Sequence, residues 1–186
     1  MKLERLDMQV GPLSVEVLEP MQRLKLTCDD PDSSLACELV FEAFIPAHEE
    51  PRFIRRLGSQ LTMDLTRMMQ NGSWQGWIEV AGERIEVNRT NFTGTRDRSW
   101  GIRNIGAADR QPNPVSAAMQ FYWIWVPMNF QDFSIHYFVN QDADGNAWNE
   151  NAVLIPKFGQ GPEEVMVERE YKQIYQPGTR YAKSAS

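Results

Sequence analysis

Residues 94–103 read Gly-Thr-Arg-Asp-Arg-Ser-Trp-Gly-Ile-Arg, placing Arg96, Asp97, Arg98, Trp100 and Arg103 within eight positions. An aspartate between arginines is a candidate proton donor or acceptor whose pKa the neighbouring charges tune. The arginines can equally clamp a carboxylate or a phosphate. The same residues suit a buried salt-bridge knot between sheets, with Trp100 as packing, because a charge taken out of water needs a partner. In an extended run Arg96, Arg98 and Trp100 share one face, and Asp97 and Ser99 share the other.

His136 is the second candidate. It sits in Phe133-Ser134-Ile135-His136-Tyr137-Phe138, with Ser134 and Phe138 on its own face. It reads as a general base or proton relay, or as a hydrogen-bonded structural histidine. His48, in Pro46-Ala47-His48-Glu49-Glu50, reads as a solvated loop residue. Gln70-Asn71-Gly72-Ser73-Trp74-Gln75-Gly76-Trp77 interleaves amides, indoles and glycines. That patch suits a cavity wall built on Gln70, Trp74 and Trp77, or a glycine-relieved bulge at a barrel corner. Asp142, Asp144 and Gly145 open like a calcium loop but lack the closing glutamate, so a hairpin turn is expected. There is no P-loop, dinucleotide fingerprint, nucleophile elbow or HExxH. No metal site and no cofactor are expected.

The elements that would position these residues are strands. Segments 3–9, 13–18, 21–28 and 35–45 alternate partially and end at Gly, Pro or Asp. Pairing 21–28 with 35–45 around Asp29–Ser34 matches Leu24 with Phe41, Leu26 with Leu39 and Cys28 with Cys37. The other face then opposes Arg23 to Glu42. The two cysteines are expected to be reduced thiols facing the core. Residues 46–60 read as a loop with one helical turn, and 61–70 fit helix or strand. Trp74–Val80 and Glu83–Val87 form a hairpin around Ala81-Gly82, with Ile78 opposite Ile85 and Glu79 opposite Arg84. A loop at 104–116 precedes strands at 117–126 and 131–140, turned at Pro127-Met128-Asn129. The first carries Trp123 and Trp125 on one face and Tyr122 on the other, as in a strand buried on both sides or facing a ligand. Strands near 147–156 and 164–175 follow, then a frayed polar tail from Thr179.

The fold class is therefore all-β: an antiparallel barrel or sandwich. Residues 1–105 form a first β unit ending in the arginine-rich run. Residues 106–186 form a second, or continue the first as one domain. The 186 residues suffice for a core without staples, and 11% aromatic content suits a β-rich protein or one enclosing an apolar ligand. A net charge of −6 argues against nucleic acid. No apolar run approaches a membrane span. A start without an apolar signal core makes a cytoplasmic protein the default.

The two unusual patches together resemble the AttH-like and carotenoid-hydratase (hydroxyneurosporene synthase) superfamily. The resemblance rests on Gln70–Gly76, Ala81-Gly82-Glu83 and Gly94–Arg103, in that order. It is tightest over residues 60–105. It implies lipocalin-like β-barrels in tandem, with the motif near their junction, and hydrophobic, isoprenoid-like or steroid-like ligands. Some members of that superfamily add water to a double bond, so an enzyme of this kind would be a cofactor-independent hydro-lyase or isomerase. In such an enzyme Asp97 would protonate an alkene, and Asp97 and His136 are the candidate catalytic residues. Trp74, Trp77, Tyr122, Trp123 and Trp125 would stabilise the resulting cation through their π faces. Nearby arginines would lower the pKa of Asp97 and oppose that role. The alternatives are a non-catalytic binding protein whose arginines hold an acid, or a structural β domain. The family's chains are longer, so a half-pair completing its barrel as a homodimer is expected.

Overall fold

The computed structural model describes residues 8–57, 60–103, 122–179 and 181–186, with backbone alone at Leu57, Gln60 and Arg103. All regular structure among them is antiparallel β, as the alternation predicts. The first sheet holds nine strands: β1 (Met8–Val10), β2 (Leu13–Glu19), β3 (Arg23–Asp30), β4 (Leu35–Ala43), β5 (His48–Glu49), β6 (Phe53–Leu57), β7 (Gln60–Val80), β8 (Glu83–Val87) and β9 (Thr93–Arg103). It curls into a half-barrel. The second holds β10 (Tyr122–Asn129), β11 (Phe133–Gln141), β12 (Ala147–Pro156) and β13 (Glu164–Val165). A separate pair joins β14 (Gln173–Tyr175) to β15 (Ala182–Ala185).

Strand β7 organises the first sheet. Its 21 residues pair with β4, β5 and β6 along one edge and with β8 and β9 along the other. A strand this long needs partners on both edges to satisfy its backbone groups. Residues 61–70, ambiguous by periodicity, are strand for that reason. The local hairpins follow their side-chain patterns. Cys28 lies opposite Cys37, Leu24 opposite Phe41 and Arg23 opposite Glu42. Ile78 faces Ile85 and Glu79 faces Arg84. Both cysteines are free thiols.

Five expectations need correction. The described residues of 46–60 contain no helical turn; β5 and β6 fold back onto β7. The turn placed at 127–129 is strand, and the chain reverses at Phe130–Asp132. Pro127 is tolerated there because, among the described residues, β10 pairs only with β11 and forms the sheet edge. The strand expected over 164–175 splits into β13 and β14. The tail is not frayed throughout, since Ala182–Ala185 pairs with β14. His48, expected in a solvated loop, is buried in β5. The expected loop at 104–116, and the start of the following strand, lie outside the described residues.

The two sheets share a core. Ile45 and Met69 from the first pack with Val153 and Ile155 from the second, and Phe44 and Trp125 close the edges. A polar clamp lies beside it. Asn71 Nδ2 donates to Asn129 Oδ1 at 2.6 Å, and Thr95 Oγ1 donates to Asn71 Oδ1 at 2.8 Å. Ser134 Oγ also donates to Asn129 Oδ1, at 3.0 Å. The Asn71–Asn129 bond crosses between the sheets, and Thr95 and Ser134 hold its two amides from either side. Asp142 caps its own turn by accepting from the backbone of Asp144 and Asn146, as the hairpin reading expects.

A buried ionisable cluster between the sheets

Strand β5 is two residues long, yet it delivers the most consequential side chains. His48 pairs with Met69, and the Glu50 amide continues the ladder by donating to the Arg67 carbonyl at 2.8 Å. Residues two apart on an extended chain share a face. His48 and Glu50 therefore point the same way as Met69 and Arg67, toward the second sheet. From that sheet β10 contributes Trp125, β11 contributes His136 and β12 contributes Asn151.

Glu50 is 3% exposed. Its Oε2 lies 3.3 Å from Arg67 Nη1, and its Oε1 accepts from Trp125 Nε1 at 3.1 Å. Burial pushes its pKa up. The Arg67 charge and the Trp125 bond pull it back, and the charge of Asp97 pushes it up again. His136 is fully buried, with its Nε2 3.7 Å from Glu50 Oε1, too long for a hydrogen bond. Neither ring nitrogen has a hydrogen-bond partner among the described residues. The ring is walled by Trp125, Phe138 and His48 at centroid distances of 5.1, 5.7 and 6.1 Å. Burial, then the neighbouring His48 and Arg67, push its pKa down to about 3. At neutral pH it is a neutral imidazole with one donor and one acceptor both unused.

His48 was expected in solvent and is instead buried. Asn151 Nδ2 lies 3.3 Å from its Nε2, and Glu163 Oε2 lies 2.9 Å from its Nδ1. The network assigns the lone pair to Nε2 and the proton to Nδ1. His48 is thus held on both sides, whereas His136 is held on neither. The signal for His48 and Glu50 was present in the sequence. A period-two pair bracketed by Pro46 and Pro51 reads as a short strand once Arg67 is placed opposite.

The neutral imidazole makes stability depend on acid. The unfolded chain protonates His136 below pH 6.5, the ordinary value, and the folded chain only below about 3. Between those values the unfolded state binds more protons. The stability from keeping His136 neutral is therefore complete above pH 6.5 and is lost as pH falls toward 3. Glu50 works in the opposite sense, since its raised pKa removes stability as pH climbs above 4.5. His136→Gln should abolish only the first effect. Between pH 6.5 and 4.5, wild-type stability in urea should fall faster than the variant's, by up to about 1.4 kcal/mol per pH unit. Parallel curves would contradict this.

The arginine-rich run is divided by its own alternation. Thr95, Asp97 and Ser99 follow the inner face of β9, and the charge of Asp97 reaches Glu50. Arg96, Arg98 and Trp100 point outward and line a groove of about 680 Å³ with Met21, Ala47, Glu49 and Met68. Asp97 and Arg98 are exposed, and Arg96, Asp97 and Arg98 form no ion pair among the described residues. The run is not a buried salt-bridge knot. Asp97 and Arg98 stand in solvent, and Arg96 is half-buried without a carboxylate partner among the described residues.

The other candidates separate. Arg103 is described by its backbone alone, opposite Met63. Gln70 is buried beneath residues 21–45, with Nε2 donating to the carbonyls of Met21 and Ile45. Trp74 packs on Phe41, and Trp77 carries Arg84 over its ring. Tyr122 points to the far face of the second sheet, where its hydroxyl donates to Gln173. Trp123 and Trp125 stay with the cluster, 6.3 Å apart, with the Arg67 guanidinium over Trp123. Of the sequence candidates the structure therefore gathers His136, Trp123, Trp125 and Asp97, and adds Glu50, Arg67 and His48. No group of three or more His, Cys, Asp or Glu suited to a metal occurs among the described residues. No helix among them is long and apolar enough to cross a membrane.

Fold and site together define a class: an all-β protein whose two larger antiparallel sheets hold an acid–imidazole cluster between them. The chain belongs to the family of unknown function DUF8625, whose model matches residues 1–186. No curated protein and no solved structure matches it.

Proposed function

We propose that the protein binds a hydrophobic small molecule beside the Trp123–Trp125 wall and moves a proton on it with Glu50 and His136. The observation that carries this reading is His136, fully buried with both ring nitrogens unpartnered, 3.7 Å from a carboxyl whose pKa burial raises. A buried polar group without partners costs stability, and such groups concentrate where a ligand or reaction uses them. Glu50 replaces Asp97 as the acid. Asp97 is exposed and acts through its charge, which helps Glu50 hold its proton.

In a hydration, the fraction of Glu50 that carries a proton, enlarged by burial, gives it to an alkene carbon, and the indole faces stabilise the cation. Water adds to the cation and its proton passes to His136. The proton then returns from the imidazolium to the Glu50 carboxylate, leaving one water added across the double bond. Dehydration is the reverse, and isomerisation loses a different proton to His136. The sequence resemblance to carotenoid hydratases supports an isoprenoid-like substrate.

A second reading, binding without turnover, is favoured by the outward groove, where Arg96 and Arg98 stand beside exposed Trp100 and could hold an acid. Incubation with farnesol in D2O separates the two readings. Catalysis predicts deuterium in the recovered isoprenoid, slowed about 10²–10⁴-fold by Glu50→Gln or His136→Gln. Farnesol binding without uptake of deuterium selects the second reading, and uptake indifferent to both variants overturns the first.

A further inference from the structure

The second sheet has another face. Ile135 and Tyr137 alternate with Ser134 and His136, so they point away from the cluster. Residues 166–173 and the β14–β15 pair cross that face and leave a cavity of about 560 Å³. Its floor is Ile124, Val126, Met128, Ile135 and Ala152, with Met166 above. That volume falls within the roughly 300–1,000 Å³ of small-molecule sites, which are likewise mostly apolar with a few placed polar groups.

The polar groups gather at one end. Tyr171 lines the cavity and donates to Gln141 at 3.0 Å. Gln173 also lines it, and its Oε1 accepts from Tyr122 at 2.9 Å and from Tyr175 at 3.0 Å. Those hydroxyl protons are committed, and the phenolic oxygens keep lone pairs able to accept. The opposite end, at Met128 and Ile135, is apolar. Of the rim's two cations, only Lys172 lacks an ion pair among the described residues. Arg169 is paired with Glu150 at 3.1 Å, and Glu168 and Glu170 outnumber Lys172.

We infer that this cavity is a second ligand site, for a neutral elongated amphiphile. Its apolar body lies along Val126, Met128 and Ile135, and a terminal hydroxyl donates into the Tyr171–Gln173 end. An anionic counterpart is disfavoured by the rim charge. The site shares only a sheet with the acid–imidazole cluster and does not depend on the activity proposed for it.

The probe pair is 1-decanol and decanoate, titrated calorimetrically into the full chain. Decanol should bind at one per chain and decanoate at least tenfold more weakly. Val126→Trp fills the floor, and Met166→Trp fills the cavity from the crossing segment should the first variant fail to fold. Each should weaken decanol at least tenfold, and His136→Gln should leave it unchanged. The inference is overturned if decanol does not bind, if decanoate binds equally well, or if decanol affinity follows His136→Gln but survives a folded Trp variant.

Discussion

Glu50→Ala should destabilise the protein by about 3–5 kcal/mol, the usual cost of removing one partner of a buried ion pair. Arg67 would remain between the sheets with its side chain only 13% exposed and no carboxylate beside it. Trp125 Nε1 would lose its acceptor as well. Glu50→Gln separates charge from shape. Its amide oxygen can still accept from Trp125, so the cost should stay below about 2 kcal/mol. Urea midpoints at constant slope measure both. An alanine variant within about 1 kcal/mol of wild type would mean that Arg67 finds water or another partner, and that the cluster does not depend on Glu50.

Gly101→Ala should cost about 3 kcal/mol or more, although the residue lies between two exposed side chains, Trp100 and Ile102. Its φ of +131° is one that side chains rarely adopt. A Cβ there would strike the carbonyl oxygen of Asp64 on β7. The close approach keeps β9 against β7 at the end of the arginine-rich run. Gly82→Ala is the control, because Gly82 also has positive φ, at +82°, but nothing stands near its would-be Cβ. It should lose only about 1 kcal/mol. Similar losses in the two variants would place the effect in backbone strain alone.

What the sequence reveals about this protein depends on the range of the contacts. The hairpins at 23–43 and 76–87 were legible to the residue, because cross-strand pairs and a short turn settle register locally. The β class followed from alternation. The cluster was half legible. His136 and the two tryptophans stood out by type, whereas His48 and Glu50 looked like a solvated acidic loop. Their burial comes from β5 lying along β7 and from a second sheet more than 70 residues away, as in the Trp125–Glu50 bond. The arginine-rich run misled in the opposite direction. Its charge density suggested a buried knot, and β9 instead turns Arg96, Arg98 and Trp100 outward.

His136 stays neutral beside Glu50, with both nitrogens free for a ligand. Nitrogen-15 NMR of the imidazole, followed from pH 7.5 to 4, tests it most directly. The ring should remain neutral through pH 4, since its pKa lies at about 3, and its tautomer shifts should respond to farnesol. A ring that titrates near 6.5, or that farnesol leaves untouched while binding elsewhere, would contradict it.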